Sequence, residues 1–171
     1  MSKVLVVIDV QNDYFPEGKF PLWAADQALE KVERAMAQAN ERGIPVVLVQ
    51  HVADTSAGPA PFFNPGTPGV ELHPRIRAAA PSAPVVVKAF ADAFVKTDLE
   101  AVLAELGATE LLLTGMMTHN CVTHTAISKS AEKYDVTILP DCCTTVSEIM
   151  HKIALAAVAT RVRLAPSNEV L

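Results

Sequence analysis

The segment LLLTGMMTHNCVTHTA, residues 111–126, decides how the rest of the chain is interpreted. A run of leucines typical of a buried strand ends at Gly115, and a helical pattern begins near Cys121. In parallel α/β sheets, ligands bind beyond the carboxyl ends of the strands, where such loops lie. A helix N-terminus favours negative charge and therefore the thiolate form of a nearby cysteine. The segment predicts a reactive cysteine at the edge of a parallel sheet.

Five further apolar runs share this strand-like character. Their hydrophobicity is continuous rather than alternating, which is typical of strands buried on both faces of a parallel sheet. Amphipathic stretches that predict helices lie between them. The sequence therefore predicts an α/β fold, a three-layer α/β/α sandwich around a six-stranded parallel sheet. The strands are predicted at 3–9, 45–51, 84–88, 110–115, 135–140 and 161–165, and the helices at 26–42, 97–106, 121–133 and 147–160.

Length and composition narrow the class of protein. A chain of 171 residues, half of them hydrophobic, suits one compact domain spanning 1–171. The net charge of -5 argues against a general affinity for nucleic acid or an anionic membrane, which leaves a small-molecule substrate as the expected partner. The N-terminal apolar run reaches Asp9 too soon for a signal sequence or membrane span. We therefore expect a cytoplasmic protein.

Two other features break the alternation of strands and helices. The segment 52–74 is rich in proline and glycine, and long loops of this kind are commonly functional, so it is predicted to form a wall or lid over the site. The three cysteines form no CxxC pair, which suits neither a zinc knuckle nor a disulfide framework. Cys142 and Cys143 follow the predicted fifth strand and are interpreted as packing residues.

Three reactive side chains stand at the predicted strand ends. Asp9 ends the first strand, Lys88 ends the third, and Cys121 follows the fourth. Each has a structural explanation when taken singly: a turn cap, a solvated rim and a small buried hydrophobe. Together at one edge of a sheet they predict nucleophilic catalysis, since a nearby cation favours the thiolate and a carboxylate can accept the thiol proton.

The segments VIDVQNDYF (7–15), VVKAFADAF (86–94) and TGMMTHNCV (114–122) carry a resemblance to a known family. They resemble the isochorismatase-like cysteine hydrolases, which include nicotinamidases, N-carbamoylsarcosine amidohydrolase and isochorismatase. The match covers essentially the whole chain in the same order, and the loop before the cysteine is specific. The resemblance implies a six-stranded parallel sheet flanked by helices and assembly as a homodimer or homotetramer.

The resemblance also implies roles for individual residues. Asp9 matches the family base, Lys88 matches the lysine that orients and stabilises, and Cys121 matches the nucleophile. A non-proline cis peptide precedes the nucleophile in this family, and the matching bond joins Met116 and Met117. The N–H groups of Met117 and Cys121 are expected to form the oxyanion hole.

A substrate pocket is implied by the same matches. Tyr14 stands where relatives place an aromatic side chain against the substrate, and Asn120 immediately precedes the nucleophile. Phe94 lies six residues beyond the catalytic lysine. His119 and Phe90 are the remaining candidates for the pocket lining.

One part of the family pattern is absent from this sequence. Nicotinamidases carry a metal site that begins Asp-x-His after the second strand, whereas this chain has His51 and Ala53 at the matching positions. His51, Asp54 and His73 are an alternative ligand set, although isolated loop histidines are more often solvated or hydrogen-bonded. We therefore expect no metal and no cofactor.

The sequence thus predicts a metal-independent cysteine hydrolase that cleaves a C–N bond of a small amide, carbamoyl or ureide substrate through a thioester. Three alternatives stay open: an isochorismatase-type vinyl ether hydrolase, a nicotinamidase, and a catalytically silent homologue that binds a ligand. The vinyl ether substrate is a dianion, for which Arg75, Arg77 and Lys96 are candidate cationic groups.

Overall fold

The structure is a computed structural model that describes residues 2–171. Six strands alternate with helices along the chain, as the sequence predicts. The strands are β1 (Lys3–Ile8), β2 (Val46–His51), β3 (Val85–Lys88), β4 (Glu110–Met116), β5 (Asp135–Thr144) and β6 (Arg163–Leu164). The helices are α1 (Ala25–Glu41), α2 (Pro74–Ala79), α3 (Leu99–Glu105), α4 (Thr123–Ala126), α5 (Glu148–Val158) and α6 (Ser167–Val170).

The six strands form one parallel sheet in the order β3-β2-β1-β4-β5-β6. The chain moves outward from β1 to one edge and then returns to build the other half from β4. The strand order therefore reverses between β1 and β4, and the crevice at their carboxyl ends is the usual ligand site of such sheets. The predicted six-stranded parallel sheet is confirmed.

Alternate residues of the central strands pack into two separate layers of core. Leu5 and Val7 of β1 face the layer that contains α1, whereas Val4 and Val6 face the layer that contains α3, α4 and α5. Because both faces are covered, β1 is apolar at every position from Val4 to Ile8. The predicted three-layer sandwich is confirmed.

Gly115 allows β4 to approach β1 closely just before the nucleophile loop. It pairs with Ile8 in the sheet register and has a φ of +121°, which L side chains rarely adopt. A Cβ at this position would lie 1.9 Å from the Ile8 carbonyl oxygen. Glycine is therefore required where β4 enters the loop.

The predicted helix at 121–133 is wrong. The chain instead forms a π-helical turn (Thr118–Val122), the single turn α4, and a 3₁₀ helix at Lys129–Lys133. Ser128 breaks the helical path because its backbone is extended, with ψ at 144°, and its hydroxyl accepts the Ser130 N–H. The amphipathic pattern extends through a segment that is folded as three short turns.

The end of β5 and the number of helices also differ from prediction. β5 continues to Thr144, four residues beyond the predicted end, so Cys142 and Cys143 lie within the strand rather than after it. Both are buried and unbonded, in agreement with their interpretation as packing residues. Helices α2 and α6 were not predicted. Helix α2 begins with Pro74 after His73, whose side chain accepts the Arg75 N–H.

The outer surface of α5 carries exposed apolar side chains. Ile149 is 69% exposed and Ile153 is 63% exposed. Assembly into a homodimer or homotetramer stays a prediction. No helix within residues 2–171 combines the length and apolar character needed to cross a bilayer.

Candidate active site

Three strand ends bring Asp9, Lys88 and Cys121 together. Asp9 follows β1, Lys88 is the last residue of β3, and Cys121 lies in the π-helical turn after β4. Lys88 Nζ lies 2.9 Å from Asp9 Oδ2 and 3.2 Å from Cys121 Sγ. The three groups therefore meet at the crevice where the strand order reverses.

Lys88 is the centre of this cluster. Its side chain is fully buried, and its Nζ has two further partners, His51 Nδ1 at 2.7 Å and the Phe90 carbonyl oxygen at 3.0 Å. Burial lowers the pKa of the Lys88 amine, but the adjacent Asp9 carboxylate and Cys121 sulfur outweigh it, so the net change is upward. Lys88 is therefore an ammonium cation at neutral pH.

Asp9 is completely buried and has unused hydrogen-bonding capacity. Its φ of 53° lies in the left-handed region, which aspartate tolerates better than most residues. Oδ1 has no hydrogen-bond partner among residues 2–171, and the contact of Oδ2 with Lys88 is an ion pair without the alignment of a hydrogen bond. A buried oxygen without a donor is unfavourable. Asp9 is therefore free to accept a proton or a substrate N–H.

Cys121 is buried, with 2% of its surface exposed. Burial raises the pKa of the Cys121 thiol and Asp9 raises it further, while Lys88 opposes both without reversing the direction. This differs from the sequence-based expectation of a readily ionised thiol. The resting sulfur keeps its proton, so its attack on a substrate requires proton transfer to a base, and Asp9 is the adjacent carboxylate.

The loop between β4 and Cys121 begins with a cis peptide bond between Met116 and Met117. Met117 is 6% exposed, and its carbonyl oxygen accepts the N–H groups of Asn120 and Val122. The turn thus folds back on Met117, which holds the nucleophile loop close to the end of β4.

Tyr14 lies beside the triad formed by Asp9, Lys88 and Cys121 but is almost entirely buried. Burial raises the pKa of the Tyr14 phenol, and the charges of Asp9 and Cys121 raise it further. Its ring centroid lies 4.6 Å from that of Phe63 and 5.5 Å from that of Phe62. The structure therefore places Tyr14 in an aromatic wall next to Asp9 and Cys121.

The segment 52–74 forms the other part of this wall. The Phe63 N–H donates to Asp13 Oδ2 at 2.8 Å, and Leu72 pairs with Gln11 through an isolated β-bridge. These contacts attach the segment to the loop that follows β1. The Phe63 ring lies 5.9 Å from the ring of His51, which in turn contacts Lys88. Whether the segment opens for substrate stays a prediction.

Phe90 is largely exposed, whereas Phe94 packs against the core. Phe90 is 46% exposed, Lys96 Nζ lies 5.6 Å above its ring, and its carbonyl oxygen accepts from Lys88. It therefore lies at the rim of the site. Phe94 is half-buried and stacks on Tyr134 at 6.3 Å, within the core layer that contains α3. Cys121 belongs to the same core cluster.

Asn120 and His119 lie on the surface side of the nucleophile turn. The Asn120 carbonyl oxygen lies 2.8 Å from His124 Nδ1, and His119 Nδ1 contacts the Thr145 hydroxyl. His119 and His124 also line a groove against Met150 of α5. These contacts connect His119 to α5 and β5 rather than to Lys88 or Asp9.

A well-defined cavity lies away from the triad. It has a volume of about 600 Å³ and is lined by the loop after β1 and the segment 67–69, with Asp26 and His73 at its edge. No triad residue lines it. We place the candidate active site by the convergence of three buried reactive groups, Asp9, Lys88 and Cys121.

The residues after β2 do not fit a metal site of the nicotinamidase type. His51 Nδ1 is engaged with Lys88, and Ala53 has no ligand atom. Asp54 Oδ1 accepts the Ser56 N–H, and His73 Nδ1 accepts the Arg75 N–H. The alternative ligands are therefore directed to separate local partners.

One other donor set lies closer together. Donor atoms of Asp9, His51 and Cys121 lie within 4.8 Å of one another. Lys88 Nζ contacts all three, so an ammonium occupies the position that a metal ion would need. This set does not fit a metal ion while Lys88 is in place.

The sequence did not predict the contact between His51 and Lys88. His51 was considered only as a metal ligand, because the strand pairing was not known. β2 and β3 are neighbours in which His51 and Lys88 are register partners. Gln11 is also engaged here, since its side-chain amide pairs with both the N–H and the carbonyl oxygen of His51.

Comparisons with known proteins agree with this architecture. Residues 3–166 match the isochorismatase domain family. The chain is 38% identical to the isochorismatase family protein YddQ of Bacillus subtilis, over 91% of this chain and 86% of that protein. It is 31% identical to streptothricin hydrolase of Streptomyces noursei, over 89% of this chain and 57% of that enzyme.

A solved structure also shows this similarity. The nicotinamidase of Bacillus subtilis superposes with a TM-score of 0.86 at 27% identity, over 96% of this chain and 99% of that one. The resemblance seen in the sequence is confirmed. The chain belongs to the isochorismatase family, whose members are hydrolases.

Proposed function

We propose that this protein is a metal-independent cysteine hydrolase that cleaves the C–N bond of a small amide, carbamoyl or ureide substrate. The observation that supports this best is the buried contact of Lys88 with both Asp9 and Cys121, at 2.9 Å and 3.2 Å. These are a base, a cation and a nucleophile at one crevice, which is the set that covalent amide hydrolysis requires.

The first half of the reaction forms a thioester. The sulfur of Cys121 attacks the carbonyl carbon while its proton moves to Asp9, and the carbonyl electrons move to oxygen. The N–H groups of Met117 and Cys121 are the donors proposed for this oxyanion. The C–N bond then breaks, and protonated Asp9 returns the proton to the leaving nitrogen. Ammonia or an amine departs, and the acyl group stays on sulfur.

The second half regenerates the enzyme. Asp9 accepts a proton from water as the water oxygen attacks the thioester carbonyl. The C–S bond breaks, the acid product leaves, and the proton on Asp9 returns to the sulfur. Lys88 keeps its proton throughout, and its charge stabilises the thiolate character of Cys121 at each step.

A neutral amide agrees better with the charges around the site than a dianionic vinyl ether. Two of the three cationic candidates have partners outside the site: Arg75 pairs with Glu33, and Arg77 donates to the Ala83 carbonyl oxygen. Lys96 lies over the exposed face of Phe90 at the rim. Nicotinamidase activity has a named precedent in the superposed structure, and nicotinamide belongs in any panel of substrates.

The test is a substrate panel with three enzymes. Wild type, Cys121→Ser and Asp9→Asn would be incubated with small amides, carbamoyl compounds, ureides, nicotinamide and isochorismate, and ammonia release and isochorismate loss would be followed. We expect ammonia from wild type alone and an acyl adduct on Cys121 by intact mass. Turnover of isochorismate alone would replace the proposal by the vinyl ether function. Equal inertness of all three enzymes would favour the silent ligand-binding homologue.

A further inference from the structure

His51 is a half-buried titratable group that the reaction above does not use. Its Nδ1 lies 2.7 Å from Lys88 Nζ. Because an ammonium can only donate hydrogen bonds, the contact requires Nδ1 to be an unprotonated acceptor. The imidazole is therefore neutral, and its one proton is on Nε2.

The contact follows from the strand pairing. His51 ends β2 and Lys88 ends β3, and the two are register partners in adjacent parallel strands. Their side chains therefore lie on the same face of the sheet at its carboxyl edge. The Val52 N–H donates to the Lys88 carbonyl oxygen at 2.9 Å, which fixes the backbones of the two strands at this point.

A second contact holds His51 from the other side. Beyond the end of β1, the Gln11 side chain takes the place of strand backbone: its Oε1 accepts the His51 N–H at 2.9 Å and its Nε2 donates to the His51 carbonyl oxygen at 2.8 Å. Gln11 is completely buried, and its Nε2 also donates to the Val70 carbonyl oxygen. The backbone of His51 is thus fixed between Gln11 and Lys88.

We propose that His51 is a positioning residue, whose neutral Nδ1 holds the Lys88 ammonium between Asp9 and Cys121. The inference rests on the hydrolase function proposed above. Of the four partners of Lys88, Asp9 and Cys121 take part in the reaction, while His51 and the Phe90 carbonyl are neutral acceptors. Neutral acceptors orient the N–H groups of the ammonium without cancelling its charge.

The charged surroundings favour the neutral imidazole. Asp9 approaches His51 from the end of β1, Lys88 from β3 and Cys121 from the turn after β4, while Phe63 on the wall carries no charge. Burial and the Lys88 charge lower the pKa of His51, and Asp9 opposes them without reversing the direction. A protonated His51 would place a second cation against the ammonium and displace Lys88.

The direct test is the tautomer of His51, read from imidazole ¹⁵N chemical shifts at pH 7. The chain has five histidines, and His51→Asn assigns the signal by its loss. We expect a protonated Nε2 and an unprotonated Nδ1. A protonated Nδ1, or a charged imidazole, overturns the inference. This measurement needs no substrate, so its result is independent of the hydrolase proposal.

Two variants then measure the consequence for the site. In His51→Asn, Oδ1 replaces Nδ1 as an acceptor that does not titrate, whereas His51→Leu removes the acceptor. We expect His51→Leu to lose ~10- to 100-fold in kcat with a smaller change in KM, and His51→Asn to recover most of that loss. A structural role alone predicts equal losses in the two variants, and equal losses at matched Tm would refute the inference.

The acid limb of the pH profile gives a second readout. Wild-type kcat/KM should decrease at low pH as His51 becomes protonated and repels Lys88. Because the pKa of His51 is lowered, this decrease should occur at a pH below the ordinary pKa of histidine. His51→Asn should lack this decrease, so the ratio of its kcat/KM to that of the wild type should rise toward low pH. A flat ratio would show that His51 does not titrate against Lys88. The alkylation rate of Cys121 provides the same comparison if no substrate is found.

Discussion

Replacing Asp9 with asparagine should make Cys121 more reactive toward iodoacetamide while nearly abolishing hydrolysis. The reason is the charge balance of the buried cluster. In the wild type, Asp9 balances Lys88, and the thiol is held protonated because burial and Asp9 both raise the pKa of Cys121. In Asp9→Asn, the only anion that can balance the Lys88 ammonium, 3.2 Å away, is the thiolate itself.

The magnitude follows from the geometry. Donor atoms of Asp9 and Cys121 lie within 4.8 Å of one another. At an effective dielectric constant of about 20, two unit charges at this upper limit of separation repel by roughly 3.5 kcal/mol, which is about 300-fold in the ratio of thiolate to thiol. A less basic thiolate is a weaker nucleophile, which removes about 10- to 20-fold of that gain. Alkylation of Cys121 should therefore be ~15- to 30-fold faster in the variant.

The assay is alkylation at limiting reagent and pH 7, followed by peptide mapping to separate Cys121 from Cys142 and Cys143. Asp141→Asn is a matched control, because Asp141 contributes, after burial, to raising the pKa of Cys142 to about 12. That variant should leave the rate at Cys121 unchanged.

Hydrolysis should respond in the opposite direction. Asparagine cannot accept the thiol proton, so kcat should fall by about 10²–10⁴, as is typical when a general base is removed. Faster alkylation and slower hydrolysis in one variant would separate the ionisation of Cys121 from proton transfer by Asp9. Alkylation that is unchanged or slower in Asp9→Asn would refute the charge balance proposed for the cluster.

Three further outcomes are expected. Lys88→Met should slow alkylation of Cys121 at neutral pH, and hydrolysis should recover partly in alkaline buffer; a pH-independent loss would contradict the role of the cation. Hydrolysis should survive exhaustive chelation, whereas loss with EDTA and recovery with zinc would overturn metal independence. Gly115→Ala should lower the free energy of unfolding by about 3 kcal/mol or more in a urea titration, because its Cβ would lie 1.9 Å from the Ile8 carbonyl oxygen; a loss below about 1 kcal/mol would show that β4 adjusts readily.

The sheet was predictable because its signal is local. Continuous apolar runs such as Val4–Ile8 mark strands buried on both faces. The predicted order of strands and helices agrees with the structure apart from the segment 121–133 and the short helices α2 and α6. In 121–133, Ser128 ends the helix through its own backbone conformation, which an amphipathic pattern does not reveal. The ends of strands could be predicted to within one or two residues except at β5, which continues past Pro140.

The site was predictable only in part, because contacts between strands depend on register. The positions of Asp9, Lys88 and Cys121 at strand ends follow from the sequence, and so does their meeting at one sheet edge. The pairing of His51 with Lys88 requires knowing that β2 and β3 are neighbours in a given register. Phe94 was expected in the pocket from the family resemblance; its ring stacks on Tyr134, and its contact with substrate stays a prediction.

The charges of the cluster also restrict its substrates. Asp9 and Lys88 compensate one another, and Cys121 and His51 are neutral at rest, so the buried groups carry no net charge. Acylation moves one proton from Cys121 to Asp9 and keeps this sum at zero until the oxyanion forms. An anionic group bound against the triad would add a buried charge that none of these four groups balances, at an effective cost of several kcal/mol for each ion. A neutral amide adds no such charge, and its N–H can be accepted by the unpaired Oδ1 of Asp9.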